Sequence, residues 1–324
     1  MKKEELKIVF MGTPEFAVPS LQKLVDSDYK VVAVITAPDK PAGRGKKVTF
    51  SAVKQRALQL GLPILQPENL KDSLFIKQLE SYQANLQIVV AFRMLPEVVW
   101  SMPEYGTFNL HASLLPQYRG AAPINHAIIN GEKETGLTTF FLDKEIDTGA
   151  IIKQVKVSIA DGETASSLHD RMMLEGAKLV LETIQLLLEG KTIGKDQSKF
   201  ISPGTTLNKA PKLNKEDCRI NWDKSGKQIV NFIRGLSSYP TAFSEFISEN
   251  GDILYIKIFS AFFEKTEHSI KNGVLSSDNK SYIKIAVEHG FVFLTELQQA
   301  GKKKLDVNSF LRGSNFSGNW IAKN

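Results

Sequence analysis

The chain has 324 residues, a formal net charge of +6 and a composition ordinary for a soluble protein, with 42% hydrophobic and 23% charged residues. This length allows two domains that each bury their own core, and no apolar run reaches the roughly 18–20 residues that a membrane span needs. The single cysteine, Cys218, excludes an intramolecular disulfide framework and fits a reducing compartment. Because the charged N-terminal segment lacks a small-residue cleavage site, the sequence predicts a cytoplasmic globular protein without a membrane partner.

The front part of the chain alternates short apolar runs with amphipathic stretches. Strands are predicted at Lys7–Met11, Lys30–Thr36, Leu86–Ala91 and Tyr105–Asn109. Helices are predicted at Ala17–Asp26, Ser51–Leu60, Asp72–Ser81 and Pro123–Asn130. This alternation is typical of βαβ units. It predicts a Rossmann-like α/β domain with a mainly parallel sheet and helices on both faces.

Two strands and a long helix complete this domain. Thr138–Leu142 and Ala150–Val157 are predicted as a pair of strands, and a helix is predicted from about Thr164 to Glu189 because its apolar residues recur at helical spacing. Glu163 and Thr164 favour the start of that helix through charge and capping. We therefore expect the first domain at 1–189.

The rear part of the chain follows a change in composition. Gly190–Pro211 is rich in Gly, Lys, Thr, Ser, Pro and Asn and has no sustained period, which indicates an interdomain linker over 190–209. Beyond it, over 210–324, a helix is predicted at Gly226–Leu236. Short β-rich runs follow at Ala242–Ile247, Leu254–Phe263, Gly273–Leu275, Ile283–Ala286 and Val292–Gln298. Short strands separated by turns predict a small barrel or sandwich.

Most of the net charge lies in this rear part. Residues 207–324 carry 17 Lys and Arg against 12 Asp and Glu. A basic surface suits a polyanionic partner, but a charged surface that only keeps the protein soluble explains the same charge count. Charge alone leaves both interpretations open.

Phe108–Pro116 carries the most informative polar residues. Asn109, His111 and Ser113 alternate, so in an extended segment their side chains leave on one face, about 6–7 Å apart from one to the next. Asp147 follows in a turn-prone Asp-Thr-Gly. An amide and an imidazole can hold a carbonyl oxygen that becomes negative, and a carboxylate favours the protonated imidazole or fixes its tautomer. The set indicates transfer through an anionic tetrahedral intermediate without a covalent enzyme intermediate, and a polar strand end capped by a loop carboxylate is the structural alternative.

Two other kinds of site are disfavoured. The turn Gly12–Ala17 has one of the three glycines that a dinucleotide fingerprint needs. The five histidines are scattered, with no HxH spacing and no Cys pair. We expect neither NAD nor a bound metal.

The connection Thr36–Lys54 is long for a strand-to-helix loop. Arg44 lies between two glycines that make the backbone flexible and allow close approach. Four further cations lie in the same segment: Lys40, Lys46, Lys47 and Lys54. Five cations suit contact with phosphates, and a solvated basic loop without a partner is the alternative.

Segments spread over essentially the whole chain match one known pattern. They are VFMGTPEFAVPSL, TAPDKPAGRGKK, NLHASLLPQYRGAAPINHAI, ETGLTTFFLDKEIDTGAII and, in the rear part, INW, IRGLSSYP and LQQAGKKKLDVNSFLRG. These segments resemble the methionyl-tRNA formyltransferase family. The motif Asn-x-His-x-Ser-Leu-Leu-Pro with a later Asp is specific for enzymes that use 10-formyltetrahydrofolate in this manner, and the arginine loop and the basic rear part narrow the resemblance to the tRNA-formylating branch.

The resemblance implies that the formyl group of 10-formyltetrahydrofolate passes to the α-amino group of methionine on initiator tRNA. It implies Asn109, His111 and Asp147 as the catalytic set. It implies folate contacts for Ser113, Leu114, Leu115 and Pro116. It implies tRNA contacts for Arg44, Lys46 and Lys47, and an OB-like rear barrel that holds the tRNA body. Ala91–Met94 departs from the Tyr-Gly pair that relatives more often carry beside the pterin pocket.

Other functions fit parts of the pattern. An enzyme that formylates an amino-sugar nucleotide has little need for the Arg44 loop. An enzyme that formylates glycinamide ribonucleotide, or one that hydrolyses the formyl donor, has no need for a basic rear part. The intact Asn109, His111 and Asp147 argue against a catalytically inactive tRNA-binding homologue. We expect a monomer.

Overall fold

The computed structural model describes residues 2–42, 47–191, 194–202, 204–314, 316 and 318–323. The chain forms two compact units. Unit 1 comprises Met1–Gly120, Thr135–Ser158 and His169–Lys209, and unit 2 comprises Ala121–Glu134, Ile159–Leu168 and Ala210–Asn324. Domain boundaries at 1–189, 190–209 and 210–324 stay a prediction. Among the described residues, none of the helices combines the length and the apolarity that crossing a bilayer requires.

The front part of the chain alternates strands and helices, as predicted. The strands are β1 (Lys7–Gly12), β2 (Lys30–Ile35), β3 (Lys40–Ala42), β4 (Lys47–Thr49), β5 (Ile64–Leu65), β6 (Leu86–Val90), β7 (Thr107–His111), β8 (Glu134–Phe141) and β9 (Ile151–Ser158). The helices are α1 (Val18–Asp26), α2 (Ala52–Gln59), α3 (Ser73–Ser81), α4 (Glu97–Trp100), α5 (Pro123–Ile129) and α6 (Ala165–Leu188). Polar side chains start several of them: Asp72 accepts the N–H groups of Leu74 and Phe75, and Thr164 Oγ1 accepts the N–H of Ser167. The predicted cap of α6 is thereby confirmed.

Unit 1 is built on a sheet whose strands run in the order β5-β2-β1-β6-β7-β8-β9. The pairs from β5 to β7 are parallel, and β7 pairs with β8 in the antiparallel sense. All residues of β6 are buried, as expected for a parallel strand covered on both faces. The predicted Rossmann-like α/β fold with a mainly parallel sheet is confirmed. The carboxyl ends of the parallel strands share one edge, and His111 ends β7 there.

The connection Thr36–Lys54 contains two short strands that were not predicted. β3 and β4 pair in the antiparallel sense, with Lys40 opposite Thr49 and Ala42 opposite Lys47. The sequence did not indicate these strands because both are three residues long and neither shows an alternating apolar pattern. The sequence also missed β5 and α4, which are too short to show a period.

Unit 2 contains a closed antiparallel barrel. The strands are β10 (Ala242–Ser248), β11 (Ile253–Lys265), β12 (Val274–Ser277), β13 (Ile283–Val287), β14 (Gly290–Gln299), β15 (Leu305–Asp306) and β16 (Trp320–Lys323), and two helices accompany them, α7 (Gly226–Leu236) and α8 (Val307–Leu311). The order β11-β10-β16-β12-β13-β14 closes through pairing of β11 with β14, and β15 adds to β14. The predicted OB-like barrel is confirmed. The bounds of α7 are those of the predicted helix Gly226–Leu236.

The strand β16 was not predicted. Its residue Ala322 pairs with Phe246, and Trp320 pairs with Leu275, so this strand lies between β10 and β12. β16 has only four residues, too few to show an alternating pattern, and it is a strand because β10 and β12 pair with it. The barrel core includes the fully buried Trp222, whose Nε1–H donates to Ser244 Oγ at 2.9 Å.

Candidate active site

Asn109 and His111 share one face of β7. On the other face, Leu110 meets α6, where a Cβ placed on Gly176 would lie 2.7 Å from Leu110 Cδ2. Because side chains alternate along a strand, Asn109 and His111 leave together on the face away from Leu110. The predicted shared face is confirmed.

His111 is held by a backbone carbonyl and an aromatic ring. Its Nε2 lies 3.0 Å from Tyr118 O, and a carbonyl oxygen only accepts, so Nε2 carries a proton. The ring of Phe140 meets the imidazole edge-on at 6.4 Å between centroids. The His111 side chain is 8% exposed. Nδ1 is therefore the ring nitrogen left to gain or release a proton.

Asp147 faces that nitrogen. Its Oδ2 lies 3.8 Å from His111 Nδ1 and accepts the N–H of Gly120 at 2.9 Å. The Nδ1 to Oδ2 separation is longer than a hydrogen bond, and such contacts often tighten only when substrate binds. The structure thus brings two of the three predicted catalytic residues together.

The backbone around this pair has left-handed conformations. φ is 59° at Tyr118, 56° at Asp147 and 125° at Gly120. A non-glycine residue in this region costs on the order of 1–3 kcal/mol and persists only where the surroundings hold it. The two contacts made by Tyr118 O and Gly120 N come from one such turn.

The amide oxygen of Asn109 lacks a hydrogen-bond partner among the described residues. This oxygen, Oδ1, is buried, and no group within the described part of the chain donates a hydrogen bond to it. An unsatisfied buried acceptor costs about 1–3 kcal/mol. A bound molecule with an N–H or O–H group at this oxygen would remove that cost. Contact of Asn109 with a substrate stays a prediction.

The predicted folate residues follow β7 in a tight turn. Ser113 is fully buried, and its hydroxyl donates to Gln117 O at 2.6 Å. Leu114 packs on Gly136, where a Cβ would lie 2.4 Å from Leu114 Cδ2. The peptide bond between Leu115 and Pro116 is cis.

A cavity of about 430 Å³ lies beside this turn. Its lining includes Leu114, Leu115 and Pro116 together with Lys156 and Phe200. Three of the four predicted folate residues therefore line a cavity whose volume lies in the range of ligand sites. Folate contact by these residues stays a prediction.

A second apolar surface flanks Asp147. Met94 is 67% exposed and Ile146 is 61% exposed. Lys144 Nζ lies 3.6 Å from Glu97 Oε1, so the segments that carry Met94 and Ile146 are close to each other. The neighbouring Arg93 donates to Glu68 O at 2.8 Å.

The predicted tRNA contacts are only partly described. Arg44 and Lys46 lie outside the described residues, and Lys47 belongs to β4. Lys54, also counted among the cations of this segment, lies in the first turn of α2 and bonds to Asp39. Hydrogen bonds from Lys54 and then from Gln66 lower the pKa of Asp39, so Lys54 is already paired with a carboxylate.

Sequence reasoning missed Gln197 and Arg119. Gln197 is 3% exposed, and its Nε2 donates to Asp147 O and Gly149 O, both at 2.9 Å. Its Oε1 accepts from Arg119 Nε at 3.1 Å and from Nη2 at 2.6 Å. Gln197 lies in a stretch of linker-like composition, which gives no local signal of burial.

The arrangement supplies hydrogen bonding and proton transfer. An amide and an imidazole lie on one face of β7, and a carboxylate lies 3.8 Å from the imidazole Nδ1 at the end of this strand. The described ranges contain no group of three or more His, Cys, Asp or Glu side chains that could hold a metal ion.

Comparison with known proteins identifies the family. Residues 6–184 match the formyl transferase family and residues 212–315 match the formyl transferase C-terminal domain. A methionyl-tRNA formyltransferase from Parabacteroides distasonis is 56% identical over 314 residues, which cover 97% of each chain. The chain belongs to the methionyl-tRNA formyltransferase family. The methionyl-tRNA formyltransferase from Bacteroides thetaiotaomicron is 54% identical over 319 residues and 98% of each chain.

Solved structures share the fold of this methionyl-tRNA formyltransferase family member. The sugar 3N-formyl transferase WlaRD, solved with dTDP and 5-N-formyl-THF, has a TM-score of 0.62 at 22% identity, over 92% of this chain and 99% of its own. The N-formyltransferase from Helicobacter canadensis has a TM-score of 0.61 at 21% identity, over 91% and 99%. Identities this low show the fold alone.

Proposed function

We propose that this protein transfers the formyl group of 10-formyltetrahydrofolate to the α-amino group of methionine on initiator tRNA. The observation that carries the proposal is the 56% identity to a methionyl-tRNA formyltransferase over 97% of both chains. The geometry at the end of β7 supports it with a chemical mechanism. A tetrahydrofolate-type formyl donor agrees with the family and with the folate-bound structures of the same fold.

In the proposed mechanism the uncharged amine attacks the formyl carbon. The carbonyl oxygen becomes negative, and the Asn109 amide N–H donates to it; losing one such donor typically costs about 3 kcal/mol. The carbon–nitrogen bond to the folate then breaks, the new amide nitrogen loses a proton and the folate nitrogen gains one. His111 Nδ1 carries that proton, directly or through a water held by Asp147 Oδ2. The remaining acceleration comes from holding two large substrates in register.

We further propose that the folate donor binds at the cavity of Leu114, Leu115 and Pro116. The cavity is largely apolar, and Lys156 on its lining suits the anionic end of a folate. The Met94 and Ile146 surface offers a competing position. Leu114→Ser should raise KM for the folate donor, and Met94→Ser should not. If Met94→Ser raises this KM and Leu114→Ser leaves it unchanged, the donor binds at the Met94 and Ile146 surface instead.

The tRNA is proposed to contact Arg44, Lys46 and Lys47 with its acceptor end and unit 2 with its body. The 17 cations of residues 207–324 outnumber the acidic residues by five. Phosphate contacts of this kind are electrostatic and weaken with salt.

The test is formylation by the purified protein with 10-formyltetrahydrofolate and methionyl initiator tRNA, followed as formyl-methionine in single turnovers. Asn109→Ala and His111→Ala should each slow the chemical step about 10²-fold or more while tRNA affinity persists. His289→Ala is the matched control, because its side chain is 63% exposed. An amino-sugar nucleotide is tested in parallel. Product from the sugar and none from the tRNA would contradict the proposal.

A further inference from the structure

The segment that follows α6 is bound to the turn that carries the active-site contacts. Tyr118 N–H donates to Asn208 O at 2.7 Å, and Asn208 N–H donates to Gln117 Oε1 at 2.8 Å. Gln117 Nε2 donates in turn to Thr206 O at 3.0 Å. Thr206 and Asn208, in the stretch whose composition predicts a linker, are thus hydrogen-bonded to Gln117 and Tyr118.

Gln197 makes the deepest contact of this segment. Its two N–H donors go to two carbonyls of the Asp147 loop, and its oxygen accepts two N–H groups of the Arg119 guanidinium. Both donors and both acceptor positions of the amide are therefore in use. With 3% exposure, this side chain is committed to one geometry.

The two ends of the Gln197 amide hold the two backbone turns that orient the catalytic pair. One end fixes Asp147 and Gly149 through their carbonyls. The other fixes Arg119, whose neighbours in the chain make the contacts described above: Tyr118 O accepts from His111, and Gly120 N–H donates to Asp147. A shift of Gln197 therefore moves the imidazole and the carboxylate relative to each other.

We propose that Gln197, together with Arg119, is a positioning residue for the His111–Asp147 pair. The inference rests on the proposed formyl transfer and adds a determinant of its rate. The left-handed φ values of Tyr118 and Asp147 mean that both turns need an external hold. A misplacement of about 1 Å far from the chemistry can cost about 10²-fold in rate.

The experiment compares Gln197→Met with Gln185→Met in the full-length protein. Methionine keeps the length of the side chain and removes all four hydrogen bonds, and Gln185 is an exposed glutamine that donates to Glu189. Gln197→Met should lower kcat about 10- to 100-fold and leave KM for both substrates within about threefold. The thermal unfolding midpoint should change no more than moderately, and Gln185→Met should behave as wild type.

Two further readouts separate positioning from simple stability. The imidazole NMR signals of His111, assigned with His111→Ala, should shift in Gln197→Met and not in Gln185→Met. Gln197→Glu places a carboxylate against two carbonyls, so its kcat relative to wild type should recover as falling pH protonates the new side chain. If Gln197→Met does not fold, Arg119→Lys, which keeps the charge and loses the paired contact, takes its place with the same expectations.

A wild-type kcat in the folded variant, or a loss confined to KM or to the unfolding midpoint, would overturn the inference. Failure of the proposed function looks different, because then wild type itself yields no formyl-methionine. In that case the His111 signals still report whether Gln197 positions the pair.

Discussion

Asp147 Oδ2 and His111 Nδ1 face each other at 3.8 Å, and the same oxygen accepts the N–H of Gly120. The other nitrogen of the ring is already used by a backbone carbonyl. In the proposed mechanism the two side chains act as one unit, with the carboxylate beside the ring nitrogen that carries the proton.

This coupling predicts non-additive kinetics. His111→Ala and Asp147→Asn should each lower kcat on the order of 10²-fold, and the double variant should lose little more than the worse single variant. Single-turnover formylation of all four proteins measures the coupling. Losses that simply multiply would show that the two residues act independently.

Arg44→Ala should impair the use of tRNA and spare the folate donor. A cation in contact with phosphate contributes an electrostatic term that falls with salt, so kcat/KM for tRNA should drop and its salt dependence should become shallower. Titration of a folate analogue gives the folate affinity, which should match wild type. Kinetics with tRNA identical to wild type would leave the segment as an ordinary surface.

Gly149→Ala should disturb the Asp147 loop. A Cβ on Gly149 would lie 1.7 Å from Phe141 O, so the backbone must move, and overpacking of this kind typically costs about 1–3 kcal/mol. We expect kcat to fall at least tenfold and the urea midpoint to decrease. Gly313→Ala is the control, because its nearest neighbour would lie 4.0 Å away. Wild-type activity in Gly149→Ala would show that the loop tolerates displacement.

Asp278 should contribute a pH-dependent stability to unit 2. Hydrogen bonds from the Ser281 hydroxyl and then from the backbone N–H of Ser281 lower the pKa of Asp278 well below its ordinary value of 3.8. A carboxyl group whose pKa is lower in the folded state stabilises that state fully above its unfolded-state pKa. This stabilisation is lost as pH falls from the unfolded-state pKa through the folded-state pKa. The stability difference between wild type and Asp278→Asn should therefore be present at pH 6 and shrink below pH about 4.

Urea unfolding of both proteins across that pH range measures this difference. Ser281→Ala removes the largest cause of the shift and should reduce the pH dependence. A difference that is constant from pH 6 to pH 3 would assign the effect of the substitution to packing.

Much of unit 1 and part of the site follow from local patterns. The alternation of Asn109 and His111 predicts their shared face because the period of a strand is a property of the backbone. Strand β16 and the pair β3 and β4 were missed because their partners, and not their own residues, make them strands. Gln197 was missed for a related reason: its burial depends on carbonyls that arrive from Asp147 and Gly149.

The sequence by itself determined the alternation of the longer strands and helices, the shared face of Asn109 and His111 and the family motif. Each of these is written in neighbouring residues, so hydrophobic spacing and residue chemistry suffice to read it. Only the tertiary structure decided that the Asp147 carboxylate lies 3.8 Å from Nδ1 of His111 and that Gln197 of the connecting segment bonds to both turns. These contacts join segments distant along the chain through backbone conformations, such as the positive φ of Asp147, that the surrounding packing imposes.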